Sequence, residues 1–140
     1  RGEEFKDHPV KLEGNNDLLV LTRPDVIADI HRQYLEAGAD IIGTCTFNSQ
    51  VVSQTEYQTT EYVRSLNLEG ARIARKEADR MTVLTPDKPR FVAGSIGPTG
   101  KMTSMSPDME NPAYRAMDFD TLRLAYIEQI QALLEGGSAD

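Results

Sequence analysis

Thr44, Cys45, Thr46, Asn48 and Ser49 gather hydroxyl, thiol and amide side chains in one short stretch. Groups of this kind suit a small polar ligand. They follow Gly38-Ala39-Asp40-Ile41-Ile42-Gly43, where a glycine closes a helix and a short apolar run comes next. The order is helix, loop, buried strand, polar strand end. In α/β folds the carboxyl ends of parallel strands are where ligands sit. A second stretch has the same character: Arg90-Phe91-Val92-Ala93-Gly94-Ser95-Ile96 is the clearest strand pattern in the chain, and it ends in Gly97-Pro98-Thr99-Gly100. Glycine there lets backbone N–H groups approach a ligand closely. The same residues also fit a capped strand end and a plain turn with no ligand.

The elements that would position these stretches can be read from periodicity and punctuation. Leu18-Leu19-Val20-Leu21 is apolar without alternation and is compatible with a strand. Thr22-Arg23-Pro24-Asp25 predicts a helix start, with Thr22 as N-cap, Pro24 in the first turn and Asp25 three residues on. Val26, Ile27, Ile30, Tyr34 and Leu35 then form one apolar stripe, with His31 at its solvent edge and Gly38 as the stop. A long helix is expected to begin between Thr55 and Thr60, with Tyr62, Val63, Leu66, Ile73, Ala74, Ala78 and Met81 inward. Gly70 lies in its middle at a cost of about 1 kcal/mol relative to alanine, which suggests that another element comes close. Lys101 to Asp118 is a long polar loop. A last helix is predicted from Asp120 to Glu135, with Leu122, Ala125, Tyr126, Ile130, Leu133 and Leu134 on one face, before Gly136-Gly137. Alternating helices and strands argue for an α/β fold with a parallel sheet. Two or three such strands would leave edges unpaired, so the sheet is expected to be incomplete.

Composition excludes several functions. The 140 residues carry a net charge of -7 with no basic patch, which argues against nucleic acid as a partner. No apolar run approaches the roughly 18 residues of a membrane span, and the opening Arg1-Gly2-Glu3-Glu4 has no signal-peptide character. One cysteine, Cys45, precludes an internal disulfide and fits a cytoplasmic setting. His8 and His31 stand far apart and give no metal-ligand spacing.

Longer stretches carry a resemblance. Gly14-Asn15-Asn16-Asp17-Leu18-Leu19-Val20-Leu21-Thr22-Arg23-Pro24-Asp25-Val26-Ile27 is similar to the homocysteine-binding module of cobalamin-dependent methionine synthases, in the homocysteine S-methyltransferase family. So are Tyr34-Leu35-Glu36-Ala37-Gly38-Ala39-Asp40-Ile41-Ile42 with Thr44 to Ser49, Arg90 to Thr99, Ser106-Pro107-Asp108 and Phe119-Asp120. The resemblance implies an α/β fold, a partial TIM (β/α)8 barrel in which residues 1–140 supply only early βα units and the barrel continues beyond both ends. The family's opening Asp-Gly-Ala-Met-Gly-Thr type strand would precede Arg1, and its zinc-holding cysteines would lie on later strands; Cys45 is not one of them. It implies a methyltransferase parent in which zinc holds the homocysteine thiolate and methylcobalamin, recharged by 5-methyltetrahydrofolate on other modules, donates the methyl group to give methionine. Stand-alone relatives using betaine or S-methylmethionine are the alternative enzymes, and a non-catalytic truncated fragment is the alternative of another class. The 140-residue stretch alone is expected to be inactive, to ligate no metal and to contribute pocket wall: Thr44, Thr46, Phe47 and Asn48 on one side, Ser95, Gly97 and Thr99 on the other. Thr44 and Thr46 are expected to face the barrel interior, with Cys45 and Phe47 packed under helices. Two departures stand out, Gly43 and Cys45, where the family carries glutamate and asparagine.

Overall fold

In the computed structural model, which describes residues 2–138, the chain runs α1 (Leu19–Thr22), α2 (Pro24–Glu36), β1 (Ile41–Gly43), α3 (Val51–Thr55), α4 (Val63–Leu84), β2 (Phe91–Ala93) and α5 (Phe119–Glu135). α1, α2, α5 and both strands are laid against α4. Its sequence is rich in Leu, Ala, Glu, Arg and Lys, all good helix formers, and Pro86 lies just beyond its end. Its buried positions, Val63, Leu66, Asn67, Gly70, Ala71, Ala74, Glu77 and Ala78, recur every three or four residues. Half of that stripe is glycine or alanine, so the sheet can come close.

β1 and β2 are parallel, with Ile41 opposite Phe91, Ile42 opposite Val92 and Gly43 opposite Ala93. Joining parallel neighbours requires a crossover, and α4 is that crossover. Ile42 and Val92 point into a core with Leu35, Ala74 and Ala78. Ile41, Gly43, Phe91 and Ala93 alternate to the opposite side of the sheet, which is exposed. A second cluster of Phe5, Leu12, Leu18 and Leu66 fixes the amino-terminal segment to α4. Between α2 and α4, the buried Glu77 carboxylate accepts from Arg32 at 3.2 Å and Arg80 at 3.0 Å. Burial pushes the Glu77 pKa up, but the two guanidinium partners outweigh it and hold it below the usual carboxylate value.

The described residues thus give a two-stranded parallel sheet backed by helices. A closed barrel is not formed within them. Both main strands and the last helix fall where the sequence places them, β2 being shorter than the pattern over residues 90–96; the long helix begins later than the expected Thr55 to Thr60, at Val63 after a 3-10 turn over Thr60–Tyr62. Leu18–Leu21 is not a strand: Asn16–Leu18 is a 3-10 turn that runs into α1. Leu18 and Val20 are nearly inaccessible there, so burial is achieved with helical rather than extended geometry. Thr22 is not the cap of α2; that place belongs to Arg23, and the Thr22 hydroxyl donates to the Leu18 carbonyl. The short α3 has no counterpart in the sequence pattern. The inward face of α5 is Ala125, Gln129, Ala132 and Leu133, whereas Ile130 and Leu134 are exposed. The continuation into a further strand after Gly136-Gly137 lies outside the described residues. No described helix is long and apolar enough to cross a membrane.

Gly70 is where α4 meets the end of β1. A Cβ added there would lie 2.6 Å from Thr46 Cγ2. Alanine is worth about 1 kcal/mol more than glycine in a helix interior, but overpacking a core costs about 1–3 kcal/mol. Gly70→Ala is expected to destabilise the chain on balance, read as a lower urea midpoint at unchanged slope. A raised midpoint would show that Thr46 moves aside freely.

Candidate functional site

The two strand ends are joined by a ring of hydrogen bonds. Thr44 N donates to the Ala93 carbonyl at 3.0 Å, one step past the ladder. Ser95 N then donates to Thr44 Oγ1 at 2.8 Å, and Thr46 Oγ1 donates to the Ser95 carbonyl at 2.9 Å. The Thr44 and Thr46 hydroxyls lie 2.6 Å apart. Since the Thr46 proton is committed to Ser95, Thr44 is the donor in that pair. Further out, Gly97 N donates to the Phe47 carbonyl at 2.9 Å. A Cβ on Gly97 would lie 2.5 Å from that oxygen, so glycine permits the approach.

The loop after β1 is also held from behind by buried polar side chains on separate elements. Asp17 Oδ2 accepts from Asn48 N at 2.8 Å and from Ser49 Oγ at 2.7 Å. Gln54 Nε2 donates to the Asn48 carbonyl, Asn67 Nδ2 to the Ser49 carbonyl and Gln129 Nε2 to the Thr46 carbonyl. Asn15 Nδ2 and Thr59 Oγ1 both donate to Gln54 Oε1. Burial raises the Asp17 pKa, and its hydrogen bonds from Ser49 and Asn48 only partly offset that rise. The sequence pattern had placed Asn15 and Asp17 in a turn and left the other amides unassigned. One signal was present: Asn67 and Gln129 occupy positions on helical stripes that are mainly apolar or small.

Thr44, Thr46, Phe47, Ser95 and Gly97 are therefore brought together, but not all facing as expected. Thr44 and Thr46 continue the Ile42 face toward α4, and Thr46 is fully buried beneath Gly70. Phe47 is half exposed with its ring against Gly97, and Asn48 is exposed. The expected phase, threonines inward to an open mouth and Cys45 with Phe47 under helices, is reversed. The reason is the small residue at Gly70: a Cβ-branched threonine fits under it, and alternation then turns Gly43 and Cys45 to the open side. Cys45 is half buried, and its thiol pKa is pushed up to about 11 by burial and by the negative charge of Asp17. Thr99 stands apart, its hydroxyl donating to the Lys101 carbonyl. His31, expected at the solvent edge of α2, is buried, and desolvation lowers its pKa despite the nearby Glu77.

Among the described residues no three His, Cys, Asp or Glu side chains stand together as a metal-ligand set. These residues do not fit a resident metal, and the chemistry available to them is hydrogen bonding, orientation and exclusion of water.

Comparison with known proteins agrees with this architecture. Residues 2–139 match the profile of the homocysteine S-methyltransferase family. The fold is similar to that of the homocysteine methyltransferase MmuM from Escherichia coli in its metallated form, at 20% identity and a TM-score of 0.68, covering 96% of this chain and 48% of that one. The oxidised form of the same enzyme matches at 21% identity and a TM-score of 0.68, covering 96% of this chain and 47% of that one. The chain thus spans about half the length of the solved structures it resembles.

Two measurements check the roles of the ring and of Asp17. Thr46→Val keeps the shape but leaves the Ser95 carbonyl and the Thr44 hydroxyl short of a partner, and is expected to lower the unfolding free energy by about 1–3 kcal/mol. An unchanged denaturation midpoint would remove the ring from the account. For Asp17 the folded-state pKa lies above the unfolded value near 3.8. The folded state then binds the proton more tightly, so the stabilising contribution is complete below that value and is lost as pH rises through the folded pKa. The stability of the native protein relative to Asp17→Asn is therefore expected to fall as pH is raised from 4 toward 7. A difference that stays flat or rises over that range would contradict the raised pKa.

Proposed function

Because the chain belongs to the homocysteine S-methyltransferase family, we propose that it forms the early βα units of a TIM-barrel domain that methylates homocysteine to methionine. The observation that carries this reading is the family match over residues 2–139, laid on a sheet whose two strand ends are joined side by side. Ligands of such barrels sit at the carboxyl ends of the strands.

In this reading the ledge made by residues 44–49 and 95–99 is one wall of the homocysteine pocket. Phe47, Asn48, Ser95 and Gly97 stand toward the substrate, with Thr99 further out along the same ledge. Gly43 and Cys45 join them, since they share the open side of the sheet. Thr44 and Thr46 act as positioning residues: their hydroxyls fix the two strand ends in register and do not touch the substrate. Asp17, Gln54, Asn67 and Gln129 hold the loop backbone from behind, so its geometry is set before substrate arrives. Methyl transfer to sulfur needs the homocysteine thiol as thiolate, since a free thiol with a pKa of about 8.5 is mostly protonated at neutral pH. Residues 44–49 and 95–99 include no carboxylate or imidazole to take that proton. The zinc that the family resemblance implies would be held by cysteines on later strands of the parent, and no step is drawn through it.

The methyl donor is proposed to be methylcobalamin, recharged from 5-methyltetrahydrofolate by other modules of the parent. The Gly14-Asn15-Asn16-Asp17 lead-in supports that branch. A stand-alone homocysteine methyltransferase is the second reading, favoured by the likeness to MmuM. Supplying the complete coding unit separately with methylcobalamin, S-methylmethionine and betaine distinguishes them. Methionine formed only with methylcobalamin supports the first reading, and formation with either of the others alone overturns it. The 140-residue chain by itself is expected to give no turnover with any donor.

The reversed strand phase makes one further test. In the intact domain Cys45→Asn is expected to change the homocysteine KM severalfold with little change in stability. Thr46→Val should show the opposite split. A stable, kinetically normal Cys45→Asn beside a Thr46→Val whose only defect is KM would return the threonines to the pocket.

A further inference from the structure

Four of the chain's five methionines, Met102, Met105, Met109 and Met117, fall in the loop between β2 and α5. Met109 is 95% exposed, Met105 60% and Met102 54%. The fifth, Met81, packs from α4 against the core of Leu35, Ile42, Ala74, Ala78 and Val92. The loop needs no such core to hold its turns. Asp108 N donates to Ser106 Oγ at 3.0 Å, Glu110 N to Asp108 Oδ1 at 2.9 Å, and Tyr114 N to the Asn111 carbonyl at 3.0 Å. Polar groups close the turns, and the thioethers on either side of Ser106-Pro107-Asp108 are left in water. A thioether carries no proton to lose, so an accessible one is nucleophilic toward an electrophilic oxygen at any pH.

The chain's one thiol is placed the opposite way. A thiol reacts as its thiolate. Cys45 is half buried just past β1, and burial together with the negative charge of Asp17 pushes its pKa up to about 11. That cuts the thiolate present at neutral pH about a hundredfold below that of an ordinary thiol. Position in the fold therefore favours the loop thioethers over the thiol.

We propose that the loop between β2 and α5 is a reversible oxidation site for hydroperoxides, with Met102, Met105 and Met109 as the reacting residues and Cys45 spared. A sulfur lone pair attacks one peroxide oxygen, the S–O bond forms and the O–O bond breaks. Sulfur loses two electrons and the peroxide gains them. The departing oxygen takes up the proton and leaves as water from hydrogen peroxide, or as an alcohol from an organic hydroperoxide. Each event turns an apolar side chain into a polar, chiral sulfoxide. The partner that reverses it is a methionine sulfoxide reductase, one for each sulfoxide epimer, in which two thiols become a disulfide and the oxygen leaves as water. Such an enzyme has to take the side chain into its own site, which the exposed loop permits and the packed position of Met81 does not. The loop leaves the Gly97-Pro98-Thr99 ledge directly, with Thr99 Oγ1 donating to the Lys101 carbonyl. The modified residues thus follow the candidate pocket wall without belonging to it.

The test exposes the complete domain to hydrogen peroxide at neutral pH, once folded and once in urea. Peptide mass spectrometry reads one added oxygen at each methionine, and dimedone traps any Cys45 sulfenic acid. In the folded domain Met102, Met105 and Met109 are expected to oxidise at least about tenfold faster than Met81 or Cys45. In urea all five methionines should react at one rate. Reductases for both epimers should then return the loop to thioether in the folded domain. Met109→Leu should remove the fastest uptake and leave the melting temperature unchanged, because that side chain stands in water. Loop methionines that react faster in urea than in the folded domain are covered by the rest of the parent and overturn the proposal. Cys45 oxidised ahead of them overturns it as well, as do loop sulfoxides that the reductases leave in place. No homocysteine is used, so turnover or its absence bears on the functional reading alone.

Discussion

Two strands of three residues make a ladder too short to hold a sheet, and the hydroxyl ring of Thr44, Thr46 and the Ser95 backbone supplies what the ladder lacks. It extends the pairing past Gly43 and Ala93 with side chains in place of backbone, so the chain can diverge from strand geometry without losing register. Each hydrogen bond is worth about 1 kcal/mol net when made, and more when one partner is removed from a buried site. The arrangement works only because both hydroxyls are away from water, and they are away from water only because Gly70 lets α4 close over Thr46. A helix-weakening glycine is thus retained for the contact that it admits.

The same logic governs the polar residues behind the ring. Asp17, Gln54, Asn67 and Gln129 lie among apolar neighbours, where an unbonded polar group is costly. Each makes at least one hydrogen bond to the backbone of residues 46–49. An irregular segment would otherwise have unpaired N–H and C=O groups under cover of the helices. Instead it is held at points contributed by the amino-terminal turn, α3, α4 and α5. The loop beside the candidate site is therefore part of the core on one side and solvent-facing on the other, as a preformed wall requires.

Charge is arranged differently. Glu77 is buried between α2 and α4, yet its guanidinium partners remain partly in water, which limits both the cost of burying the carboxylate and the gain from pairing it. The Arg32 pair ties α2 to α4. On its other side α2 faces the sheet edge across a groove at Ile41.

The sequence by itself determined the succession of elements. Helical spacing, Gly38, the prolines and the polar ends of the apolar runs are local signals, and local signals survive in a single chain. It also supplied the family through long continuous stretches, and both candidate ledges. It marked Gly70 as a place of close approach. Which face of each element turns inward was decided by tertiary structure. Thr44 and Cys45 are equally suited to either side of a strand, and only the fit of Thr46 beneath Gly70 selects one phase. His31 lies within the breadth of the α2 stripe, and its burial depends on β1 standing opposite. Leu18–Leu21 is apolar enough for a strand or a helix, and the cluster with Phe5, Leu12 and Leu66 chooses the helix. The buried amides were the least legible, because a glutamine or asparagine declares itself structural only when the carbonyl it serves, 18 residues away for Asn67 and 83 for Gln129, is brought within 3 Å.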